Sequence, residues 1–210
     1  MKYKLYDERK INISKNKLEL IINKFSETTQ KSGVLQIDDG IKYEFINKGG
    51  QGEVYSLSLD GNKFNDELAI KRGKANNNEK KILELMSGYV DSHVCPHFLL
   101  IYDIRTIQNK DFITMEKING DLNNWLIEEH NDDEWLSFLF QFSISIYVMK
   151  IYGKTYHSDL KPKNILFKNV NNTIVKYNIN INGKLIEYFL PLFGKLFIIG
   201  DFGHAQSLLL

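Results

Sequence analysis

The chain has 210 residues, of which 43% are hydrophobic, and its 27 basic residues nearly balance 26 acidic ones, for a net charge of +1. This length can bury a core as one compact domain or as two small lobes. Near-neutral charge without a block of like charge argues against a nucleic-acid partner, and no apolar run approaches the roughly 18 residues of a membrane span.

The single cysteine, Cys95, excludes an internal disulfide and fits a reducing compartment. The N-terminus has no apolar core of the kind found in signal peptides. We therefore expect a cytoplasmic protein. Cys95 precedes Pro96, and we expect it to be a small buried hydrophobe and not a reactive thiol.

The first predicted element is a helix over Lys15–Phe25, which Ser14 can cap. Apolar residues recur on one face of it, at Leu18, Ile21, Ile22 and Phe25. We expect residues 1–40 to form an N-terminal extension whose helix docks on the domain that follows. A free helix awaiting a partner is the alternative.

Residues 41–59 predict two strands joined by the glycine turn Gly49-Gly50-Gln51-Gly52. Such a turn lets the backbone lie over phosphates without obstruction by side chains, and Val54 offers an apolar surface to an adenine ring. By itself the pattern is equally typical of an ordinary hairpin. The next strand, Leu68-Ala69-Ile70-Lys71, ends in a lysine. Considered by itself, Lys71 would be interpreted as a solvated residue at the end of a strand.

Two stretches of helical periodicity follow. The first runs roughly from Asn76 to Met86 and contains two acidic residues, Glu79 and Glu84. Asn76 and Glu79 also have the spacing of an N-terminal capping box. The later stretch, Trp135 to Tyr152, is apolar nearly all round, which predicts a central buried helix.

The strongest signal is the run His157-Ser158-Asp159-Leu160-Lys161-Pro162-Lys163-Asn164, followed downstream by Asp201-Phe202-Gly203. It brings together the groups that phosphoryl transfer needs. Asp159 can orient a hydroxyl nucleophile, and Lys161 can neutralise the transferring group. Asn164 and Asp201 can hold a magnesium ion.

Between these two motifs, Thr173–Ile181 and Lys184–Leu190 alternate apolar and polar residues around Asn182-Gly183. This pattern predicts a hairpin with a type I′ turn. The chain would return through Leu196-Phe197-Ile198-Ile199 to Asp201. The other histidines (His93, His97, His130 and His204) are scattered without metal-ligand partners, so no zinc site is proposed, and His157 is expected to brace the Asp159 loop.

Taken in order, these motifs resemble a eukaryotic-type protein kinase over roughly residues 41–206. The Asp159-Leu160-Lys161-Pro162 sequence is similar to the serine/threonine form of the loop. The resemblance implies an α+β, two-lobe protein-kinase-like fold. Residues 41–118 would form an antiparallel small lobe and hinge, and residues 119–210 a partial, mainly helical large lobe with a hairpin insert at about 170–195.

The same resemblance implies the site. Lys71 would contact the α- and β-phosphates of ATP and pair with Glu79, which the resemblance favours over Glu84. Asp159 would be the catalytic base, with Lys161 beside it, and Asn164 and Asp201 would bind Mg²⁺. The remaining nucleotide contacts would come from Asn47, Gly49, Gly50, Gly52, Val54, Ala69, Met115 as gatekeeper, the backbone of Glu116 to Ile118, and Asp121 at the ribose.

The chain departs from the family pattern at three points. Asn47 replaces the first glycine of the usual triplet, and Ser158 replaces the arginine that would receive a phosphorylated activation segment. The segment from Asn164 to Asp201 is longer than usual. The insert, together with Cys95-Pro96-His97-Phe98, resembles what is found in kinases of large cytoplasmic DNA viruses, for which the host cytoplasm or the virion would be the location. No later family motif follows Gly203, so the sequence resembles a truncated or a minimal kinase.

The sequence thus predicts an ATP- and magnesium-dependent kinase acting on serine and threonine hydroxyls of proteins. Two alternatives stay open. One is a catalytically silent nucleotide-binding or scaffold module, and the other is a small-molecule kinase, which can also carry a His-x-Asp loop and a later metal aspartate. The Leu-Lys-Pro-x-Asn run and Asp-Phe-Gly favour the protein kinase.

Overall fold

The computed structural model describes residues 4–11, 13–28, 34–37, 41–49, 52–59, 68–181 and 183–208. Within them the chain is an α+β protein. Its helices are α1 (Lys4–Arg9), α2 (Lys15–Ser26), α3 (Asn77–Asp91), α4 (Leu122–Trp125) and α5 (Asp132–Ile151). Its strands are β1 (Val34–Ile37), β2 (Ile41–Gly49), β3 (Gly52–Leu59), β4 (Leu68–Gly73), β5 (Ile101–Ile107), β6 (Lys110–Glu116), β7 (Gly120–Asp121), β8 (Thr155–Tyr156), β9 (Ile165–Asn169), β10 (Ile174–Ile181), β11 (Lys184–Pro191), β12 (Lys195–Ile199) and β13 (Gln206–Ser207).

The first part of the molecule is a six-stranded antiparallel sheet in the order β1-β2-β3-β4-β6-β5. β4 lies inside this sheet, between β3 and β6, with Lys71 opposite Val54 on one side and Ile113 on the other. Successive side chains of a strand point to opposite faces. Val54, Lys71 and Ile113 therefore share one face of the sheet.

Helix α2 covers the other face. Ser14 caps it by accepting a hydrogen bond from the Lys17 amide. Its apolar residues Leu18, Ile21, Ile22 and Phe25 are buried against Tyr43, Tyr55, Ile70 and Phe112. The predictions of this helix and of its docking on the sheet are confirmed. The helix docks because the sheet would otherwise expose a wide aromatic surface to water.

The second part follows the connection formed by residues 117–119. It contains α4, α5, the three-stranded sheet β12-β9-β7 and the pair β8-β13. Two apolar clusters pack on α5. One contains Trp125, Phe138 and Phe197, and the larger one joins α5 to α3 and to the start of the chain.

Helix α5 is buried on one face only, which corrects the prediction of a central buried helix. Leu136 and Leu139 are 63% and 50% exposed, whereas Ser137 and Gln141 are buried. The polar residues face inward because they satisfy strand backbone groups. Gln141 accepts a hydrogen bond from the Phe197 amide at 3.0 Å, and the Ser137 hydroxyl donates to the Pro191 carbonyl. No helix in the described ranges is long and apolar enough to cross a membrane.

The predicted hairpin is confirmed as β10 and β11, which pair from Ile174↔Pro191 to Ile181↔Lys184. Asn182 lies outside the described residues. Gly183, which follows it, has φ of +83°, the backbone conformation that a type I′ turn requires. The hairpin is fixed to the core by Tyr177, whose hydroxyl meets His97 Nε2 at 2.7 Å.

The loop between α3 and β5 carries two deeply buried titratable groups. Burial raises the pKa of the Cys95 thiol to about 12, so the thiol stays protonated and acts as the small buried hydrophobe that was predicted. Burial lowers the pKa of His97 to about 3. Neutral His97 links the Phe197 carbonyl, 2.8 Å from Nδ1, to Tyr177.

We expect acid to destabilise the fold through His97. Its pKa rises from about 3 in the folded chain toward the ordinary 6.5 on unfolding, so below pH 6.5 only the unfolded chain takes up the proton. The stability is fully present above that pH and falls by about 1.4 kcal/mol per pH unit as the pH decreases toward 3. Urea unfolding of wild type and His97→Gln between about pH 7 and 5 measures this term. Equal pH dependence in the two proteins would contradict it.

Candidate functional site

A cleft of about 380 Å³ separates the six-stranded sheet from the second part of the molecule. Most of the residues predicted for the nucleotide and metal sites line it. They are Asn47, Gly49, Gly52, Val54, Lys71, Glu79, Met115, Asp121, Asn164 and Asp201. Residues as far apart in the sequence as Asn47 and Asp201 therefore line the same cavity.

Four predicted nucleotide contacts remain. Gly50 is outside the described residues. Ala69, Glu116 and Ile118 do not line the cleft. Ala69 is buried in β4 opposite Met115. The Glu116 amide already donates to the Leu100 carbonyl at 3.0 Å.

Six further residues line the cleft and were not predicted from the sequence. The additional lining residues are Leu83, Leu99, Ile101, Ile113, Lys163 and Leu166. Leu166 follows the Asn164 turn in an apolar run, and Ile113 shares the periodicity of Met115, so both could have been found from strand alternation. Leu99 and Ile101 follow a loop that carries no local signal.

Lys71 and Glu79 form an ion pair at 2.9 Å. Lys71 is on β4 and Glu79 is in the first turn of α3, where its carboxylate is 1% exposed. Asn76 caps the helix by accepting from the Glu79 amide at 2.7 Å. The Glu79 side chain turns to Lys71 and not back to the Asn76 amide, so the predicted ion pair is formed and the reciprocal capping box is not. Glu84 is exposed on the other face of α3.

Asp159, Lys161 and Asn164 form a polar cluster beside the cleft. The Asp159 carboxylate accepts hydrogen bonds from Lys161 Nζ and from Asn164 Nδ2, the latter at 3.2 Å. Asn164 Nδ2 also donates to the Asp159 carbonyl at 2.8 Å. The hydrogen bond from Lys161 holds the pKa of Asp159 below its usual range, so this carboxylate is ionised at neutral pH.

Asp201 comes to Asn164 through the pairing of β9 with β12. Ile165 lies opposite Ile199, and the Gly200 amide donates to the Asn164 carbonyl at 3.0 Å. The hairpin takes up the extra sequence without disturbing this contact. Asp201 has φ of +57°, a left-handed conformation that aspartate tolerates better than most residues.

His157 is buried beside these residues. Its Nε2 meets the Gly200 carbonyl at 2.8 Å, and its ring packs on Phe202 at 5.1 Å between centroids. This is the bracing contact that was expected of His157, and it fixes the backbone on either side of Asp201.

Helix α3 is tied directly to the segment that carries Asp201. Asn76 Nδ2 donates to the Gly203 carbonyl at 3.2 Å, and Asn78 Nδ2 donates to the Ala205 carbonyl at 2.8 Å. The start of α3 therefore carries Glu79 and also binds the backbone that follows Asp201.

The donor set fits a hard divalent cation. Asn164 and Asp201 contribute amide and carboxylate oxygens to one cleft, and magnesium prefers one or two such protein ligands together with phosphate oxygens and water. In the described ranges, no group of three or more His, Cys, Asp or Glu side chains could hold a metal without other ligands.

Gly52 is required by its surroundings. A Cβ at this position would lie 2.6 Å from the Arg72 carbonyl oxygen of the neighbouring strand. Gly49 has room, since its nearest such neighbour is 4.0 Å away. The close approach of β3 to β4 thus explains Gly52 in addition to the predicted clearance for phosphates.

No protein-family model matches the chain. A search of curated proteins also finds no match.

We expect Lys71→Met to destabilise the fold by about 2–3 kcal/mol, because it leaves the buried Glu79 carboxylate without its cation. The loss is smaller than for a fully buried pair, since the Lys71 side chain is 20% exposed. Lys71→Met/Glu79→Gln should recover most of it. Urea unfolding of the wild type and these two variants measures the effect. If Lys71→Met alone leaves stability unchanged, the pair is not formed.

Proposed function

We propose that the cleft binds ATP with magnesium and that the chain transfers the terminal phosphoryl group to serine or threonine hydroxyls of proteins. The observation that carries this proposal is the Lys71–Glu79 pair, at 2.9 Å, in the same cleft as Asn164 and Asp201. The buried Glu79 carboxylate fixes the Lys71 cation, and Asn164 and Asp201 offer oxygen ligands for a metal in the same cleft. Such an arrangement can position a polyphosphate.

Each residue would act through position and charge. Lys71 is oriented by Glu79 before any ligand arrives, so it would hold phosphate oxygens at little further cost in side-chain entropy. The ionised Asp159 would accept a hydrogen bond from the acceptor hydroxyl and orient it. Lys161, next to it, would stabilise charge on the transferring group. Magnesium, when bound to Asn164 and Asp201, would neutralise the phosphates.

The architecture supports a protein-kinase-like assignment. An antiparallel sheet with helix α3 lies on one side of the cleft, and the Asp159 turn and Asp201 lie on the other. The connection between the two sides passes directly beside Met115, as the hinge of such a fold would. The inserted hairpin and Cys95-Pro96-His97-Phe98 together resemble features of kinases of large cytoplasmic DNA viruses, which supports that narrower proposal.

We predict that millimolar Mg-ATP raises the melting temperature, because a ligand that binds only the folded state stabilises it. Asp201→Ala should remove most of the shift by removing one of two metal ligands. Asp133→Ala, an exposed aspartate on α5, is the matched control and should keep the shift. Absence of a shift in folded wild type would contradict an ATP site.

We further predict that Asp159→Asn lowers phosphate transfer by roughly two orders of magnitude or more while ATP affinity changes little, because Asp159 acts on the acceptor. Lys71→Ala should weaken both, since its contacts form before the chemistry. Asp133→Asn should change neither. The assay is radiolabelled transfer to a general protein substrate, to the chain itself and to a set of small-molecule alcohols.

The outcomes separate the alternatives. Transfer only to small-molecule hydroxyls would indicate a small-molecule kinase. Tight Mg-ATP binding with equally inactive wild type and Asp159→Asn would favour a nucleotide-binding scaffold.

A further inference from the structure

Arg9, the last residue of α1, is charged and yet only 1% exposed. Its guanidinium donates to both carboxylate oxygens of Glu116, with Nε 3.1 Å from Oε2. It also donates to the Pro96 carbonyl and, at 2.7 Å, to the Phe98 carbonyl. One side chain from the start of the chain therefore joins the loop before β5 to the end of β6.

Glu116 is the centre of this contact. Its Oε1 also accepts from the Leu100 amide at 2.9 Å, and Lys168 Nζ, on β9 in the second part, is 3.5 Å from Oε2. Glu116 immediately follows Met115, which lines the cleft, and precedes the connection of residues 117–119. The carboxylate thus binds groups from both parts of the molecule at the point where the chain crosses between them.

Stability alone is a weak explanation for such a group. An ion pair removed from water gains little over well-packed apolar residues of the same volume. A forked guanidinium on a carboxylate does fix orientation, because its two parallel hydrogen bonds permit one geometry. The backbone of the connection is bonded as well, since the Asn119 amide donates to the Phe167 carbonyl at 3.0 Å.

We propose that Arg9 is a positioning residue and that α1 is an internal clamp on residues 116–119, which sets the spacing of the cleft. Leu5 and Tyr6 of α1 are buried in the same cluster as Leu83 and Phe98, so the helix is itself anchored. The clamp holds the Met115 wall in place before a ligand arrives. Its effect on nucleotide binding rests on the proposed function, whereas its effect on the connection does not.

Amide hydrogen exchange of the ligand-free chain tests the clamp. In Arg9→Met, exchange of residues 116–120 should rise roughly tenfold or more while β3 stays protected, because only the connection is released. Arg105→Met is the matched control, since Arg105 also pairs with two carboxylates, those of Asp103 and Glu19, but is only partly buried. Unchanged exchange at 116–120, or a rise shared equally by β3, would overturn the proposal.

A double variant separates positioning from charge compensation. Arg9→Met removes one of the two cations that face the buried Glu116 carboxylate, so the melting temperature should fall. Arg9→Met/Glu116→Gln should recover part of the loss, because the neutral amide needs no second cation and its oxygen can still accept from Leu100 and Lys168. The clamp predicts that fast exchange at 116–120 persists in the double variant. If the double variant recovers both the melting temperature and slow exchange at residues 116–120, the clamp proposal is wrong. If Arg9→Met does not fold, Arg9→Lys keeps the charge, removes the fork and should show the same exchange pattern.

Calorimetry with Mg-ATP extends the test to the cleft. Arg9→Lys should raise the dissociation constant several-fold with an unchanged turnover number, since positioning of the wall affects binding before chemistry. A fall in turnover alone would overturn the assignment of Arg9 to nucleotide positioning. Failure of wild type to bind Mg-ATP would refute the proposed function, and the exchange experiment would still decide on the clamp.

Discussion

The alternation of side chains along β4 is the constraint on which the site depends. Leu68 and Ile70 point to the face covered by α2, and Lys71 points to the cleft. A slip of one residue would exchange these faces and place the lysine under the aromatic rings of Phe25 and Phe112. The apolar layer beneath α2 therefore fixes the register, and the register directs Lys71 at Glu79. An extension outside the predicted catalytic region thus contributes to the geometry of the cleft.

Helix α3 transmits this register to the second part of the molecule. The turn that carries Glu79 also carries the two asparagine amides, of Asn76 and Asn78, that bind the backbone after Asp201. These are neutral hydrogen bonds, and Ser158 supplies no cation for a phosphorylated segment. The Lys71–Glu79 pair and Asp201 are therefore brought together by bonds already present in the unmodified chain.

Local signals allowed much of this to be predicted. The capping of α2 by Ser14, the turn at Gly183 and the apolar spacing of α3 each depend on residues a few positions apart, which sequence patterns report directly. The inward face of α5 was mispredicted because Gln141 is buried by hydrogen bonds to a strand that periodicity does not reveal. The contact of Arg9 with Glu116 joins residues 107 positions apart and has no local pattern. Such contacts depend on the assembled core.

The charge of the cleft limits how it can act. Its lining includes Lys71 and Lys163 against Glu79, Asp121 and Asp201. Glu79 is occupied by Lys71, and Asp121 is turned toward the Asn123 and Asn124 amides as the cap of α4. Asp201 has no hydrogen-bond or ion-pair partner among the described residues. A polyphosphate would therefore meet an unneutralised carboxylate, and a divalent cation between the two converts that repulsion into attraction. For the proposed Mg-ATP ligand, magnesium would therefore be needed before the nucleotide could enter the cleft, and the two lysines would orient its phosphates.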